Sequence, residues 1–266
     1  MGDDGLELVD NIPTGGIRPV SVTVHRRLVY VLNAGSDNIA GFSVDADGIL
    51  TALPGSEHGL SGAGTGPAQI QFSDDGRVLI VTEKATNNVV SFALDRNGIP
   101  IVRRIFASPG ATPFGFAVGK GRRVYVSEAA GGAANASSVT SWRLGKDAHL
   151  SVIAPSVATL QTAACWVVLT PDGRFGYVTN TGSGTTSAFR IRGGQLELLD
   201  DGAPASSGPT SGPIDMVVTA DGSFLHVLGS GTETLTTFEI LRDGRLAWVS
   251  ELQGLPDGAN GLVATE

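Results

Sequence analysis

Two sets of positions in this sequence recur at near-regular intervals and carry side chains that can move protons or hold anions. The first set closes a short apolar strand pattern: Asn33, Glu83, Glu128, Asn180 and Gly229. The second lies two residues after a strand-opening Pro or its equivalent: Ser21, Gln69, Gly115, Trp166 and Asp215. In antiparallel neighbours the start of one strand and the end of the next lie at the same edge, so both sets are expected at one mouth. Acids confined in such a mouth repel when ionised, and Glu83 and Glu128, from consecutive copies, are the first pair to which this applies. One would then keep its proton to higher pH and act as general base for a water nucleophile. The other would protonate the leaving oxygen or hold the water. The alternative is that each carboxylate caps N–H groups of nearby loops or faces solvent. Asp215 is the third acid of the sets.

Lys84 and Arg18 are the cations that the sequence puts nearest this mouth, suited to polarising a carbonyl or meeting a substrate carboxylate. With Ser21, Asn33, Gln69, Trp166, Asn180 and Asp215 they make up the expected substrate-binding set. Arg26, Arg27, Arg77, Arg122, Arg123 and Arg174 fall in turns of the opposite face and are expected as solvated surface. Cys165 would need a histidine partner to act as a nucleophile, and His25, His58, His149 and His226 fall elsewhere in the pattern. A buried structural thiol is therefore expected, with Trp166 walling the mouth. The stretch "LSGAGTG" (60–66) lacks the Lys-Ser/Thr pair and following helix of a phosphate loop and reads as a connection between repeats. No cofactor is expected; the weaker alternative is Ca²⁺, which accepts oxygen donors of the type offered by Glu83, Glu128, Asp215, Asn33 and Asn180.

The elements that must position these residues are repeats. "VYVLN" (29–33), "LIVTE" (79–83), "VYVSE" (124–128), "GYVTN" (176–180) and "LHVLG" (225–229) are copies of one strand. Four are preceded by a turn, "DDGR", "GKGR", "PDGR" and "ADGS", in which Gly supplies the positive φ of a hairpin; "VHRR" takes its place in the first copy. Each is followed by an alternating stretch ending on an aromatic: Phe42, Phe92, Trp142, Phe189 and Phe238, at spacings of 50, 50, 47 and 49 residues. A further turn leads to a fourth strand. Four short strands per repeat with Gly-rich turns predict an all-β fold, a β-propeller of four-stranded antiparallel blades. Five complete repeats fall at roughly 17–60, 61–109, 110–158, 159–208 and 209–253 in one domain. The end segments 5–16 and 254–264 read as the last and first strands of a partial blade.

Bulk composition agrees with this reading. Among 266 residues, 37 are Gly, 41% are hydrophobic and 17% charged, which fits a folded, turn-rich chain rather than a disordered one. The net charge of −8, with no long Lys/Arg run, excludes nucleic-acid and anionic-membrane binding as first readings and puts phosphorylated ligands at a disadvantage. A single cysteine rules out an intrachain disulfide. No apolar run is long enough to span a bilayer, and the acidic start is unlike a signal peptide. Read as written the chain is cytoplasmic; a missing N-terminal segment would allow an extracytoplasmic place, and an open ring would favour self-association through its exposed edges.

Taken together, "PDGRFGYVTNTGSG", "DDGRVLIVTEKATNNVVSF", "SGAGTGPAQIQF", "TPFGFAV" and "LPDGANGLVA" resemble the seven-bladed lactonase-type propellers, the group of bacterial 6-phosphogluconolactonases and fungal carboxymuconate cyclases. The resemblance runs over essentially the whole chain and implies seven blades, so this chain reads as an N-terminally shortened relative. It implies hydrolysis of a small sugar lactone or related cyclic ester, or the reverse closure, as the reaction class; Glu83 and Glu128, taken from the repeat positions, are the catalytic acids expected to serve it. Where phosphogluconolactonase-like members tend to show "GPRH", this chain has "GPAQ", with Ala68 and Gln69 at the match. The rival reading is a non-catalytic propeller that binds a ligand or a protein.

Overall fold

The computed structural model describes residues 7–199 and 204–264. Its strands form five antiparallel sheets in strict sequence order. Blade I contains β1 (Pro19–His25), β2 (Leu28–Asn33), β3 (Asn38–Val44) and β4 (Leu50–Ala52), with β5 (His58–Gly59) as a second short partner of β3. Blade II contains β6 (Pro67–Phe72), β7 (Val78–Glu83), β8 (Asn88–Leu94) and β9 (Pro100–Ala107). Blade III contains β10 (Pro113–Gly119), β11 (Arg123–Glu128), β12 (Ser138–Leu144) and β13 (Leu150–Ala158). Blade IV contains β14 (Ala164–Leu169), β15 (Phe175–Asn180), β16 (Thr185–Arg192) and β17 (Gln195–Leu198), with β18 (Ala205–Ser206) also on β16. Blade V contains β19 (Pro213–Val218), β20 (Phe224–Gly229), β21 (Thr234–Ile240) and β22 (Leu246–Gln253). The all-β propeller predicted from the repeats is the observed architecture.

Local chemistry explains the first hairpin of each blade. In three of them a Ser or Thr hydroxyl and an N–H two residues beyond the acid converge on one Asp: Ser73 and Arg77 on Asp75, Thr170 and Arg174 on Asp172, Thr219 and Ser223 on Asp221. The following glycine, Gly76, Gly173 or Gly222, takes a φ of 67°, 74° or 75°, where a side chain would be strained.

The core lies between blades. One buried cluster joins Tyr30, Leu32 and Ile39 of blade I to Ile70, Phe72, Leu79 and Phe92 of blade II, and equivalent clusters fill the next three interfaces. The aromatic column Phe42, Phe92, Trp142, Phe189 and Phe238 is buried throughout, each ring contributing about 2–3 kcal/mol by leaving water. Each interface also carries a hydroxyl bond directed to an outer turn. Tyr30 donates to the Gly98 carbonyl at 2.7 Å, Ser91 to Ala148 at 2.5 Å, Ser141 to Gly194 at 2.6 Å, and Tyr177 to Gly244 at 3.0 Å. Every acceptor is in the outer turn of the following blade.

The end segments differ from expectation. Residues 7–16 and 254–264 are not strands, because neither has a partner strand paired to it among the described residues. They do occupy blade-like places. Asp10 accepts the Leu50 N–H at 2.8 Å, and Ile12 packs on the outer apolar cluster of blade I formed by Val29, Ala40 and Phe42. The far side of blade V leaves Trp248 62% and Leu252 59% exposed.

Candidate functional site at the channel mouth

The five innermost strands, β1, β6, β10, β14 and β19, line a channel of about 550 Å³. Each begins in the same unusual way. The residue before it has a left-handed backbone: Arg18 (φ 54°), Gly66 (55°), Thr112 (60°), Ala163 (57°) and Gly212 (52°). Pairing with the second strand then slips within the first few residues, between Pro19 and Ser21, Pro67 and Ile70, Pro113 and Phe116, Ala164 and Val167, and Pro213 and Asp215. A bulge of this kind re-aims the side chains beside it.

The bulge decides which residues face the mouth. A cavity of about 720 Å³ opens there, and its wall includes Val20, Ala68, Phe114, Cys165 and Ile214, one from each innermost strand. These are the residues directly after the strand opener, one position earlier than the set picked out from the sequence. Most of that set instead stitches one innermost strand to the next. Ser21 Oγ accepts the Ile70 N–H at 3.1 Å. Gln69 donates to the Phe116 carbonyl at 3.0 Å and accepts the Phe116 N–H at 2.7 Å. Gly115 lies so close to blade IV that a Cβ would stand 2.5 Å from the Cys165 carbonyl oxygen. Asp215 accepts the N–H groups of Gly261 and Leu262, which puts the C-terminal segment where a following innermost strand would run.

The acids at the second-strand ends lie outside the mouth cavity wall and are met by donors from neighbouring loops and strands. Glu83 is fully buried and accepts from the Ser61 N–H at 2.8 Å, from the Ser61 hydroxyl and from Thr86 Oγ1 at 2.5 Å. Glu128, also fully buried, accepts from the Ser108 hydroxyl and the Gly110 N–H at 2.9 Å each, and from the Ser138, Thr140 and Ser156 hydroxyls at 2.5, 2.6 and 3.2 Å. Asn33 exchanges hydrogen bonds with Thr14, and Asn180 donates to Thr185 and Ser187. For the first three the partners include the loop that enters the same blade, so this set anchors connections between blades. None of the four lines the mouth cavity. The capping alternative describes their geometry, and the neighbouring-carboxylate arrangement does not.

The mouth does gather Arg18, Ser21, Lys84, Trp166 and Asp215 from the expected set, while Gln69 lines the channel below. Sequence reading missed Phe114, Ile214 and Asn260. The same repeat would have found the first two with a one-residue shift. Lys84 Nζ stands over the Phe114 ring, 4.8 Å from its centroid. Burial pushes the Cys165 thiol up to about 11, and Sγ lies 3.6 Å from the Ile214 carbonyl oxygen, so at neutral pH the wall carries a thiol rather than a thiolate. Asp215 is 7% exposed, and burial raises its carboxyl to about 6 against the opposing donation of the Met216, Leu262 and Gly261 N–H groups. Among the described residues it is the one acid in the cavity wall, with Arg18 and Lys84 as the cations. No group of three or more His, Cys, Asp or Glu side chains that could hold a metal ion is found among the described residues, so Glu83, Glu128 and Asp215 of the set considered for Ca²⁺ form no such group. No helix among the described residues is long and apolar enough to cross a membrane.

Comparison with known proteins agrees with this architecture. No curated protein matches the sequence. Among solved structures, a functionally unknown protein from Desulfotomaculum acetoxidans is 17% identical with a TM-score of 0.77, over 96% of this chain and 76% of that one. A 6-phosphogluconolactonase candidate from Bacteroides uniformis is 17% identical with a TM-score of 0.75, over 88% and 71% of the two chains. The periplasmic gluconolactonase of Pseudomonas aeruginosa is 19% identical with a TM-score of 0.72, over 88% and 72%. At these identities the likeness is one of fold. The family model described as lactonase, 7-bladed β-propeller, matches residues 15–101 and 121–260. That match runs from the first blade to the last, and the chain belongs to the lactonase family of seven-bladed β-propellers.

Proposed function

We propose that this chain hydrolyses a small lactone at the channel mouth, with Asp215 as general base in the place first given to Glu83 and Glu128. The observation that carries the reading is the pairing, in one cavity, of a buried carboxylate raised to about 6 with two cations and a flat aromatic wall. At neutral pH Asp215 is ionised yet poorly solvated, the condition under which a carboxylate is a useful base. It takes a proton from water as the oxygen attacks the lactone carbonyl. Lys84 and Arg18 stabilise the oxyanion that forms. The ring C–O bond then breaks, the alkoxide takes the proton back from Asp215, and a hydroxy acid leaves. Trp166 gives the ring a face to stack on. Family membership supports the reaction class; a sugar-derived lactone is the finer proposal, favoured by a mouth that mixes polar and aromatic groups.

The test is a panel of aldonolactones assayed with wild type, Asp215→Asn and Lys84→Met. Turnover should rise with pH through about 6, fall at least ~100-fold in Asp215→Asn, and fall with raised KM in Lys84→Met. Wild-type rates retained in both variants would remove these residues from the chemistry. A chain that binds lactones or sugar acids without turning them over would favour the non-catalytic reading.

A further inference from the structure

The opposite face of the disc holds a second cavity, of about 780 Å³, between blades I and II. Three turns form it: His25–Leu28 joining β1 to β2, Asp75–Arg77 joining β6 to β7, and Leu94–Gly98 joining β8 to β9. Arg26, Arg27, Arg77 and Arg96 all line it, four of the 18 basic residues in a chain of net charge −8. The two acids in the wall are already committed. Asp75 accepts from Ser73 and Arg77 N–H and forms an ion pair with Arg122 of blade III at 2.5 Å. Asp95 accepts the N–H groups of Asn97 and Ile99 at 2.8 Å each. None of the four guanidiniums makes a hydrogen bond or ion pair among the described residues.

The sequence shows how this excess arises. At the interface of blades II and III, Arg122 ends the turn "GKGR" and meets Asp75 of the preceding turn "DDGR". Arg77 is the counterpart of Arg122, and the counterpart of Asp75 in the preceding turn "VHRR" is His25. Blade I thus replaces the acid by an imidazole and, beside Arg27 at the shared arginine position, adds Arg26 where the other turns have glycine. The His25 ring is fixed by packing 5.7 Å from the Phe72 ring and directly against Gly76. Arg96 lies close enough to Asp95 to help hold that carboxyl low, yet four arginines against this one unpaired acid leave a positive excess, and a planar guanidinium finds its best partner in a carboxylate or phosphate bound through two N–H groups.

We propose that this cavity is a binding site for a small anion carrying two or more phosphate groups, bridging Arg26 and Arg27 of blade I to Arg77 and Arg96 of blade II. The volume lies in the range of ligand-holding clefts, roughly 300–1,000 Å³. Two blades each supply two guanidiniums, which matches two linked phosphates better than one. The site is independent of the mouth, so it stands or falls apart from lactone hydrolysis.

Inorganic pyrophosphate is the probe, titrated calorimetrically at low salt and followed by the NMR signals of the His25 ring. One saturable site per chain is expected, with the His25 signals moving at the same midpoint. Arg77→Gln/Arg96→Gln should weaken binding at least ~10-fold, whereas Arg143→Gln/Arg242→Gln, which removes two exposed arginines elsewhere, should change it less than about 2-fold. His25→Asp introduces the acid that Asp75, Asp172 and Asp221 supply in three other turns and removes no arginine; it should weaken pyrophosphate about as much as the double variant. No binding at millimolar pyrophosphate, several weak sites, or equal losses in both double variants would each overturn the proposal. Circular dichroism of every variant identifies any that fails to fold, and His25→Asp and Arg77→Gln/Arg96→Gln provide two separate routes to the same answer.

Discussion

Replacing Asp215 by Asn should make the protein more stable at high pH and leave it unchanged at low pH. Burial moves the Asp215 carboxyl from 3.8 to about 6, and roughly two pH units at about 1.4 kcal/mol each place ~3 kcal/mol against ionising it in the fold. The unfolded chain gives up this proton near 3.8, whereas the folded chain holds it to about 6. Between those values the folded state binds more protons, so rising pH favours unfolding until both are ionised. Asparagine carries no charge and keeps a carbonyl oxygen for the Met216, Gly261 and Leu262 N–H groups, though as a weaker acceptor than a carboxylate. The value of about 6 is already net of those N–H bonds, so the gain at pH 8 is about 3 kcal/mol, or a rise in Tm of about 6–8 °C. At pH 4 the wild-type carboxyl is protonated in the fold and the gain should vanish. Urea unfolding of both proteins at pH 4 and pH 8 measures the difference. Equal stability differences at the two pH values, or a variant weaker at pH 8, would refute the account of Asp215 as a desolvated acid. A stabilised but inactive variant would also show that the mouth carries a stability cost for its chemistry.

Other expectations follow from the anchoring geometry. Glu128→Gln turns one oxygen of a five-donor acceptor into an NH₂ group and should cost about 2–3 kcal/mol in denaturant unfolding, with kcat of the folded fraction unchanged. A kcat loss without a stability loss would return Glu128 to the reaction. Gly115→Ala would put a Cβ 2.5 Å from the Cys165 carbonyl oxygen, and a loss of about 2 kcal/mol or more is expected in thermal unfolding; a neutral result would mean that blades III and IV can separate freely. Cys165, its thiol raised to about 11, should react with iodoacetamide at pH 7.5 far more slowly than a free thiol, with mass spectrometry as the readout. Rapid labelling would place the thiol in an open, activated site.

The repeat was legible because its signals are local. Gly76, Gly173 and Gly222 mark turns that need positive φ, and Phe42, Phe92, Trp142, Phe189 and Phe238 mark one face of one strand in every copy. What escaped was an offset. Counting two residues from each strand opener selects Gln69 and Gly115, but the bulge at each strand start turns Ala68 and Phe114 to the mouth and directs Gln69 to Phe116. A bulge adds no residue type that a period of two would reveal. Glu83 and Glu128 were harder for another reason. An acid at a strand end looks the same in sequence whether it meets substrate or the N–H of Ser61 or Gly110, and those donors lie on a loop whose path the sequence does not specify. The residues that did come together at the mouth, Arg18, Lys84, Trp166 and Asp215, are those placed beside strand openers or just past strand ends.

The hydroxyl bonds from Tyr30, Ser91, Ser141 and Tyr177 all point toward the C-terminal neighbour, to Gly98, Ala148, Gly194 and Gly244. This gives the ring a direction in time as well as in space. As the chain leaves the ribosome, a blade can pair its own strands at once, yet its interior hydroxyl stays without an acceptor until the outer turn of the next repeat has been made, some 53 to 68 residues later. Each blade is therefore finished by its successor, and the growing end is always the least protected part of the molecule. The same arrangement makes repeats interchangeable units. A repeat carrying both the acceptor turn and the donor hydroxyl can be duplicated or removed within the array, and the blades on either side still meet donor to acceptor.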